Sequence, residues 1–220
     1  MEKQSGSILR FYGIITKKAI VAFLEAPKMV ASSDHYHFDY YRLGLVNRKI
    51  QSQNLAAVCY NSAMKNIIIF DLDETVINST HRTPNNPDGT LNLDAYIRLH
   101  NPENVAKDTL LPIATLMRNR YAMGDYIIVL TARDMKPCDY QFLNDYNLPY
   151  HKIMSRDQAS ANHYKMKDGE YKMRWIKSFL NLKQFAGRQV VMFDDAKPVK
   201  SALRKLFPVL CAHKVNARFL

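Results

Sequence analysis

The feature that most limits the fold is the alternation of short apolar runs with helix-like segments after residue 63. The runs are rich in β-branched and aromatic residues and have the length of buried strands: residues 66–70, 126–130, 150–154, 189–193 and 208–213. Segments with helical spacing separate them: residues 104–121, 137–146, 169–182 and 196–206. Because strands linked by crossover helices pair in parallel, this pattern predicts a doubly wound, mainly parallel sheet in a three-layer α/β/α sandwich.

The first 63 residues lack this alternation. They contain an amphipathic stretch at residues 8–24 and an aromatic, polar stretch at residues 34–41. We therefore expect an N-terminal extension of unknown role at residues 1–63 and one domain at residues 64–220. A docking helix, an oligomer contact and a nucleic-acid arm are the open alternatives for the extension.

The charge and composition of the chain limit the classes of partner and of cellular setting that we expect. The 31 Lys and Arg against 20 Asp and Glu leave a net charge of +11, which favours an anionic partner such as nucleic acid or phosphate. The longest apolar run near the N-terminus, residues 19–24, is far shorter than the ~20 residues that a membrane span needs. Three cysteines, Cys59, Cys138 and Cys211, have no Cys-x-x-Cys spacing, so we expect a reducing, cytoplasmic setting without a disulfide framework.

Acidic residues follow two of the strands. Asp71 and Asp73 come directly after the first strand, and Asp194 and Asp195 end the fourth. Two neighbouring carboxylates repel each other unless a cation neutralises them, and Mg²⁺ prefers oxygen ligands. Ligands in such sheets bind at the carboxyl ends of the strands. These residues therefore predict a magnesium site at that edge.

Phosphate-binding side chains follow the second strand. Thr131 offers a hydroxyl donor and Arg133 a guanidinium that can hold two phosphate oxygens. A further cation is needed between the two acidic pairs, and its candidates are Lys165, Lys167 and Lys172. Asp168 lies one helical turn before Lys172, so a pairing between the two favours Lys172.

In this order the motifs resemble the four motifs of the haloacid dehalogenase (HAD) superfamily, over roughly residues 64–213. The chain most resembles the 3′-phosphatase domain of phage-type polynucleotide kinases. That family has an arginine eleven residues past the nucleophile, matched by Arg82, and an arginine two past the second-motif hydroxyl, matched by Arg133. It also has an Asp-x-x-x-Lys followed by a tryptophan, matched by Asp168, Lys172 and Trp175.

One residue departs from this pattern. Glu74 stands where the family usually has glycine. The segment Asp-Leu-Asp-Glu-Thr also resembles the first motif of the carboxy-terminal-domain protein phosphatases and of some acid phosphatases.

The resemblance implies a HAD-like Rossmannoid fold and an aspartyl-phosphate mechanism. Asp71 attacks phosphorus, Asp73 protonates the leaving oxygen and later deprotonates the attacking water, and Thr131 and Lys172 bind the phosphoryl oxygens. Arg82, Arg133 and Asp168 join the substrate site. The ligands implied for Mg²⁺ are Asp71, the main-chain carbonyl of Asp73, Asp194 and, directly or indirectly, Asp195.

Residues 77–99 are expected to form a small flap, a hairpin around the turn-forming residues 84–89, with no large cap domain. An uncapped site and the basic charge favour removal of a 3′-phosphate from nucleic-acid ends, with Arg82 gripping the backbone. A nucleotidase or a protein phosphatase of the same superfamily is the alternative. A non-catalytic phosphate-binding module is the alternative of a different class, disfavoured because it would not need Asp73.

Overall fold

The structure is a computed structural model that describes residues 65–159 and 165–219. Its five-stranded sheet consists of β1 (Ile67–Phe70), β4 (Tyr126–Leu130), β5 (Lys152–Met154), β6 (Val190–Asp194) and β7 (Val209–Cys211). The order is β5-β4-β1-β6-β7, and all four pairings are parallel, so the doubly wound sheet that the sequence predicts is confirmed. The expected N-terminal extension, residues 1–63, lies outside the described residues, and its boundary stays a prediction.

The central strand β1 fixes the core of the domain. All four of its residues are fully buried, as expected for a strand covered on both faces. Phe70 pairs with Val129 on one side and with Phe193 on the other, and its ring stacks on Phe193 with centroids 5.2 Å apart. The strands therefore end nearly in step, and the residues that follow them meet at one edge of the sheet.

Helices cover both faces of this sheet. On one face α5 (Asp168–Leu180) and α6 (Lys197–Leu203) pack against a cluster that includes Ile67 and Ile69. Around the other face lie α3 (Ile113–Ala122), α4 (Pro137–Asp145) and α7 (Ala212–Asn216). The Asn216 amide joins two of these parts, since its oxygen accepts from Ile113 N–H at 2.9 Å and its nitrogen donates to the Thr75 carbonyl at 3.1 Å.

The flap segment differs in part from the expectation. An antiparallel bridge between Asn85 and Leu91 confirms the hairpin turn, and Gly89 takes the positive φ of 81° that this turn requires. A helix that the sequence did not predict follows as α1 (Leu93–Leu99), because the Asn92 side chain caps it by accepting from Ala95 N–H at 3.0 Å.

The helix expected at residues 104–121 is wrong as one element. It divides into α2 (Pro102–Val105), the short strand β3 (Thr109–Leu110) and α3. The physical reason is that β3 pairs antiparallel with β2 (Ile77–Asn78), so the helical segment α3 begins only after Pro112. This two-stranded pairing joins the start of the flap, at residues 77 and 78, to residues 109 and 110.

No helix in residues 65–159 and 165–219 has the length and apolar character that crossing a bilayer would need. Cys138 and Cys211 have free thiols. Cys59 lies outside the described residues.

Candidate active site

Three adjacent strands bring the acidic and hydroxyl residues to one edge of the sheet. Asp71 directly follows β1, Thr131 directly follows β4, and Asp194 is the last residue of β6. Asp71 N–H donates to the Phe193 carbonyl at 3.0 Å, which extends the sheet pairing into the site. The structure therefore brings together residues that are up to 123 positions apart in the sequence.

Lys172 reaches this edge from α5. Its Nζ lies 2.7 Å from Asp71 Oδ1 and 2.9 Å from Asp194 Oδ2, and all three side chains are buried. Helix α5 can approach α6 closely because Gly169 has no Cβ, which would lie only 3.0 Å from the Pro198 carbonyl oxygen. We call Asp71, Lys172, Asp194 and Asp195 the strand-edge cluster.

The strand-edge cluster has more negative than positive charge. Burial raises the pKa of Asp71 well above its usual value; the Lys172 ammonium opposes this effect, and the charges of Asp194 and Asp195 add to it. Burial also raises the pKa of Asp195, with a further contribution from Asp194. For Lys172, burial opposes the charged form, but Asp194 and Asp71 together raise its pKa above the usual value. Because three carboxylates surround one ammonium, an additional positive charge is electrostatically favoured in this cluster.

The donor set of this cluster fits a hard divalent cation. Asp71, Asp194 and Asp195 each offer a carboxylate oxygen, and these oxygens lie within 4.8 Å of one another. Oxygen ligands of this kind suit Mg²⁺, which binds through one or two carboxylates and keeps several waters. The Asp73 carboxylate is not part of this group, because it is held on the opposite side by arginines.

Thr131 sits beside the cluster and is almost completely buried. Its hydroxyl oxygen accepts a hydrogen bond from Arg133 N–H at 3.0 Å. A hydroxyl that accepts through its oxygen still has its own proton to donate. Because Thr131 lines the same cleft as Asp71 and Lys172, that proton is available to an anion bound there.

Asp73 is held by a fork of arginine hydrogen bonds. Arg133 donates from Nη2 to Asp73 Oδ1 at 2.5 Å and from Nε to Oδ2 at 3.1 Å, and Ser79 Oγ donates to Oδ1 at 2.6 Å. Arg82 Nη2 lies 3.9 Å from the same oxygen. Burial acts to raise the pKa of Asp73, but these partners, Arg133 first, lower it below its usual value.

Both arginines are interior residues, which corrects the sequence-based picture of an exposed flap arginine. Arg82 is fully buried and donates from Nε and Nη2 to Asp108 at 2.9 and 2.7 Å. Arg133 is buried as well, and its Nη1 donates to Asp139 Oδ1 at 2.7 Å. A guanidinium committed to internal carboxylates does not reach out to a polymer backbone. We call Asp73, Arg82, Arg133, Asp108 and Asp139 the arginine network.

Asp168 also differs from the expectation. It does not pair with Lys172; its Oδ1 accepts instead from Arg156 Nη2 at 2.5 Å, and its side chain is 56% exposed. Asp168 is the first residue of α5, one turn before the buried Lys172. Lys172 therefore reaches the strand-edge cluster through Asp71 and Asp194 and not through Asp168.

Sequence reasoning missed Asp108, Asp139 and His100. Asp139 resembles an ordinary residue of a helix start, and it does accept from Lys136 N–H at 2.7 Å. Asp108 lies in a loop 26 residues after Arg82, and His100 is 39 residues before its partner Asp139. Because these partners lie 26 and 39 residues apart in the sequence, no local pattern signals them.

Glu74 adopts the backbone conformation that glycine usually supplies. Its φ is 53°, in the left-handed region, and its side chain accepts from Ser79 N–H at 3.0 Å and from the Thr80 hydroxyl at 3.0 Å. These bonds fasten the short 3₁₀ turn Thr80–Arg82 that carries Arg82. The departure from the family pattern therefore keeps the backbone path and adds two side-chain contacts.

A cleft of about 920 Å³ opens over the strand-edge cluster. One wall is the flap, which presents apolar side chains, and α1 buries none of its residues. The exposed fractions are 60% for Leu93, 56% for Ile97 and 45% for Leu91. The side chains of this apolar flap wall are Leu91, Leu93, Tyr96 and Ile97.

The chain has relatives of known family. A protein-family profile described as bacteriophage T5 5′-deoxynucleotidase matches residues 52–219. The 5′-deoxynucleotidase of Escherichia phage T5 is 32% identical over 169 residues, which are 68% of this chain and 68% of that protein. The range that the family profile matches, residues 52–219, includes both the strand-edge cluster and the arginine network.

The comparison with solved structures gives matches at low sequence identity. The structure of the Pnkp1/Rnl/Hen1 RNA repair complex matches with a TM-score of 0.50 and 21% identity over 68% of this chain and 43% of that chain. A haloacid dehalogenase-like hydrolase from Streptococcus pneumoniae matches with a TM-score of 0.49 and 12% identity, over 71% of this chain and 99% of that chain. The chain thus spans less than half the length of the matched chain in the repair complex.

Proposed function

The chain belongs to the bacteriophage T5 5′-deoxynucleotidase family, a HAD-like family, and is a phosphatase of the HAD type. On that premise we propose that it removes the 5′-phosphate from deoxynucleoside monophosphates. The observation that carries this proposal is the match to the 5′-deoxynucleotidase family, whose profile covers residues 52–219 and so the whole candidate site, together with 32% identity to a 5′-deoxynucleotidase. The HAD resemblance seen in the sequence is thereby confirmed, and the nucleotidase alternative becomes the favoured substrate hypothesis.

Asp71 is the proposed nucleophile. A carboxylate oxygen of Asp71 forms a bond to phosphorus while the bond from phosphorus to the 5′-oxygen breaks, and Asp73 gives its proton to that oxygen. Asp73 then takes a proton from water, whose oxygen attacks phosphorus and releases Asp71 and inorganic phosphate. The lowered pKa of Asp73 favours the deprotonated form that the second step needs, whereas a bound anionic phosphate raises it for the first.

Lys172 and Thr131 are the proposed phosphoryl ligands. Two of the three N–H groups of the Lys172 ammonium are used by Asp71 and Asp194, which leaves the third for a phosphoryl oxygen. The Thr131 hydroxyl donates to a second oxygen. Positive charge and donors fixed in place before the reaction are the main requirement of phosphoryl transfer.

Mg²⁺ is the proposed cofactor, held by Asp71, Asp194, the main-chain carbonyl of Asp73 and, directly or indirectly, Asp195. The oxygen donor set and the negative charge of the strand-edge cluster support this assignment. When bound, the ion neutralises the carboxylates and the phosphate so that they can approach each other.

The apolar flap wall is the proposed contact for the nucleobase and deoxyribose. A phosphate alone occupies a small part of a 920 Å³ cleft, and ligand pockets of this size typically combine apolar walls with a few polar groups. Tyr96 and Ile97 are consecutive residues of α1, and both line the same cleft as Asp71. Their apolar surface suits a planar base better than a charged backbone.

A polynucleotide 3′-end is the second candidate substrate. The net charge of +11 favours a polyanion. Arg82 and Arg133, which supported this reading in the sequence, are engaged with internal carboxylates, so the charge is its remaining support.

A competition assay among four phosphate monoesters tests the substrate. The four are a deoxynucleoside 5′-monophosphate, the matching 3′-monophosphate, a 3′-phosphorylated oligonucleotide and a phosphopeptide. We expect the 5′-monophosphate to have the highest kcat/KM, with activity lost in EDTA and restored by Mg²⁺. A higher kcat/KM on the oligonucleotide would move the assignment to nucleic-acid ends, and equal values on all four would exclude a nucleotide site.

A further inference from the structure

Arg133 connects the proposed acid to a second buried carboxylate. Its Nε and Nη2 face Asp73, and its Nη1 donates to Asp139 Oδ1 at 2.7 Å. The guanidinium is planar and has its donors in fixed directions. The orientation of the edge that holds Asp73 is therefore set by the partner of the remaining nitrogen, which is Asp139.

Asp139 is itself held from two sides. His100 Nε2 lies 2.7 Å from Asp139 Oδ2, and Lys136 N–H donates to the same oxygen at 2.7 Å. Lys136 Nζ also donates to the His100 carbonyl at 2.6 Å, which closes a ring of contacts around Asp139. The Asp139 side chain is fully buried and the His100 side chain is 2% exposed, whereas Lys136 is partly buried and lines the cleft together with His100.

We propose that Asp139 is a positioning residue for proton transfer, and that His100 supports it. The inference rests on the proposed function, because it takes Asp73 as the acid that protonates the leaving oxygen. Asp139 holds Arg133 Nη1 and so fixes the plane of the Arg133 guanidinium. The other edge of that guanidinium then holds the Asp73 carboxylate in position. Asp139 is not among the residues that line the cleft and acts through Arg133, whereas His100 lies at the wall of the cleft and acts through Asp139.

Helix capping is the competing explanation for Asp139, since Asp139 accepts from Lys136 N–H at the start of α4. If Asp139 only caps the helix, its replacement should lower folding stability and change kcat/KM by the same factor for every substrate. A role in proton transfer affects only substrates whose leaving group needs a proton. The two explanations are therefore separated by the dependence of the rate on the leaving group.

The experiment compares two substrates in the Asp139→Asn variant. A deoxynucleoside 5′-monophosphate has an alkoxide leaving group that needs protonation, whereas p-nitrophenyl phosphate releases a stable phenolate that does not. The comparison uses kcat/KM, which reports the first phosphoryl transfer. We expect kcat/KM for the nucleotide to fall about 10–100-fold, a part of the 10²–10⁴-fold that acid–base catalysis contributes, and kcat/KM for p-nitrophenyl phosphate to fall less than about 3-fold.

Asp125→Asn is the matched control. Asp125 also forms a buried pair with an arginine, at 2.6 Å from Arg120 Nη2, but it precedes β4 at the opposite edge of the sheet. This variant should change kcat/KM for the two substrates by the same factor. An equal change in Asp139→Asn, or no change, overturns the proposal.

A second variant keeps the test decisive if Asp139→Asn does not fold. His100→Asn removes the ring contact to Asp139 and leaves Lys136 N–H in place, and it should show the same selective loss at smaller size, about 3–10-fold. An equal effect on both substrates would again refute the positioning role. If the wild-type protein prefers another alkyl phosphate, that ester replaces the nucleotide, so an incorrect substrate assignment is seen in the wild type and is distinguishable from a failure of this inference.

Discussion

The strand-edge cluster and the arginine network shift the pKa values of their carboxyl groups in opposite directions. In the strand-edge cluster, burial and neighbouring acids raise the pKa of Asp71. In the arginine network, against the effect of burial, Arg133 lowers the pKa of Asp73, and His100 together with Arg133 lowers the pKa of Asp139. The arginine network has two guanidinium groups that donate to three carboxylates. The strand-edge cluster has three carboxylates around one ammonium, and this larger excess of negative charge favours binding of a cation.

The most severe loss of activity is expected at Asp71, the proposed nucleophile. Asp71→Asn removes the attacking oxygen but keeps the size of the side chain, so hydrolysis of both the nucleotide and p-nitrophenyl phosphate should fall by about 10⁴-fold or more. Steady-state assays give the rates, and circular dichroism shows whether the fold is retained. Turnover within 10-fold of the wild type would remove Asp71 from the role of nucleophile.

Next in size is the stability of the strand-edge cluster. Lys172→Met leaves Asp71 and Asp194 without their buried cation, which should lower the free energy of unfolding by about 3 kcal/mol in EDTA. Urea denaturation measures it. Because Mg²⁺ can replace part of the missing positive charge, adding the ion should recover some of this loss. A variant as stable as the wild type in EDTA would mean that the cluster does not depend on Lys172.

The arginine network should show a different response to pH. Asp139 has a lowered folded-state pKa, because Arg133 and His100 favour its charged form despite burial. Its contribution to stability is thus fully present above the ordinary aspartate value of 3.8 and is lost as the pH falls through the lower folded-state pKa. Urea midpoints measured below pH 4 should decrease less steeply in Asp139→Asn than in the wild type. Identical slopes would show that Asp139 makes no such contribution.

The smallest expected effect is at Glu74. Glu74→Gly relieves a left-handed backbone at φ 53° and loses the bonds to Ser79 and Thr80, two changes of similar size and opposite sign. The free energy of unfolding should therefore change by less than about 1 kcal/mol. Thermal melts of Glu74→Gly and Glu74→Ala separate the two contributions, because alanine loses the bonds and keeps the strain. Equal stabilities of the two variants would show that the backbone carries no strain.

The strands and the strand-edge residues could be predicted from the sequence because they depend on local patterns. An apolar run such as Ile67–Phe70 followed by Asp71 carries its own signal, and parallel pairing brings such ends together. The partners in the arginine network could not be predicted, since Arg133 binds Asp73 from 60 residues away and no local pattern distinguishes a buried arginine from a surface one. Helix α1 was missed because its residues are all at least partly exposed, so it lacks an apolar face in the core.

The most direct test of the separate roles of Asp71 as nucleophile and Asp73 as acid compares Asp71→Asn with Asp73→Asn on two substrates. In Asp71→Asn, we expect kcat/KM to fall by the same factor for a deoxynucleoside 5′-monophosphate and for p-nitrophenyl phosphate. In Asp73→Asn, we expect kcat/KM for the nucleotide to fall about 10²-fold or more, and the fall for p-nitrophenyl phosphate to be at least about 10-fold smaller. Equal losses on both substrates in Asp73→Asn would contradict the assignment of proton transfer to the arginine network.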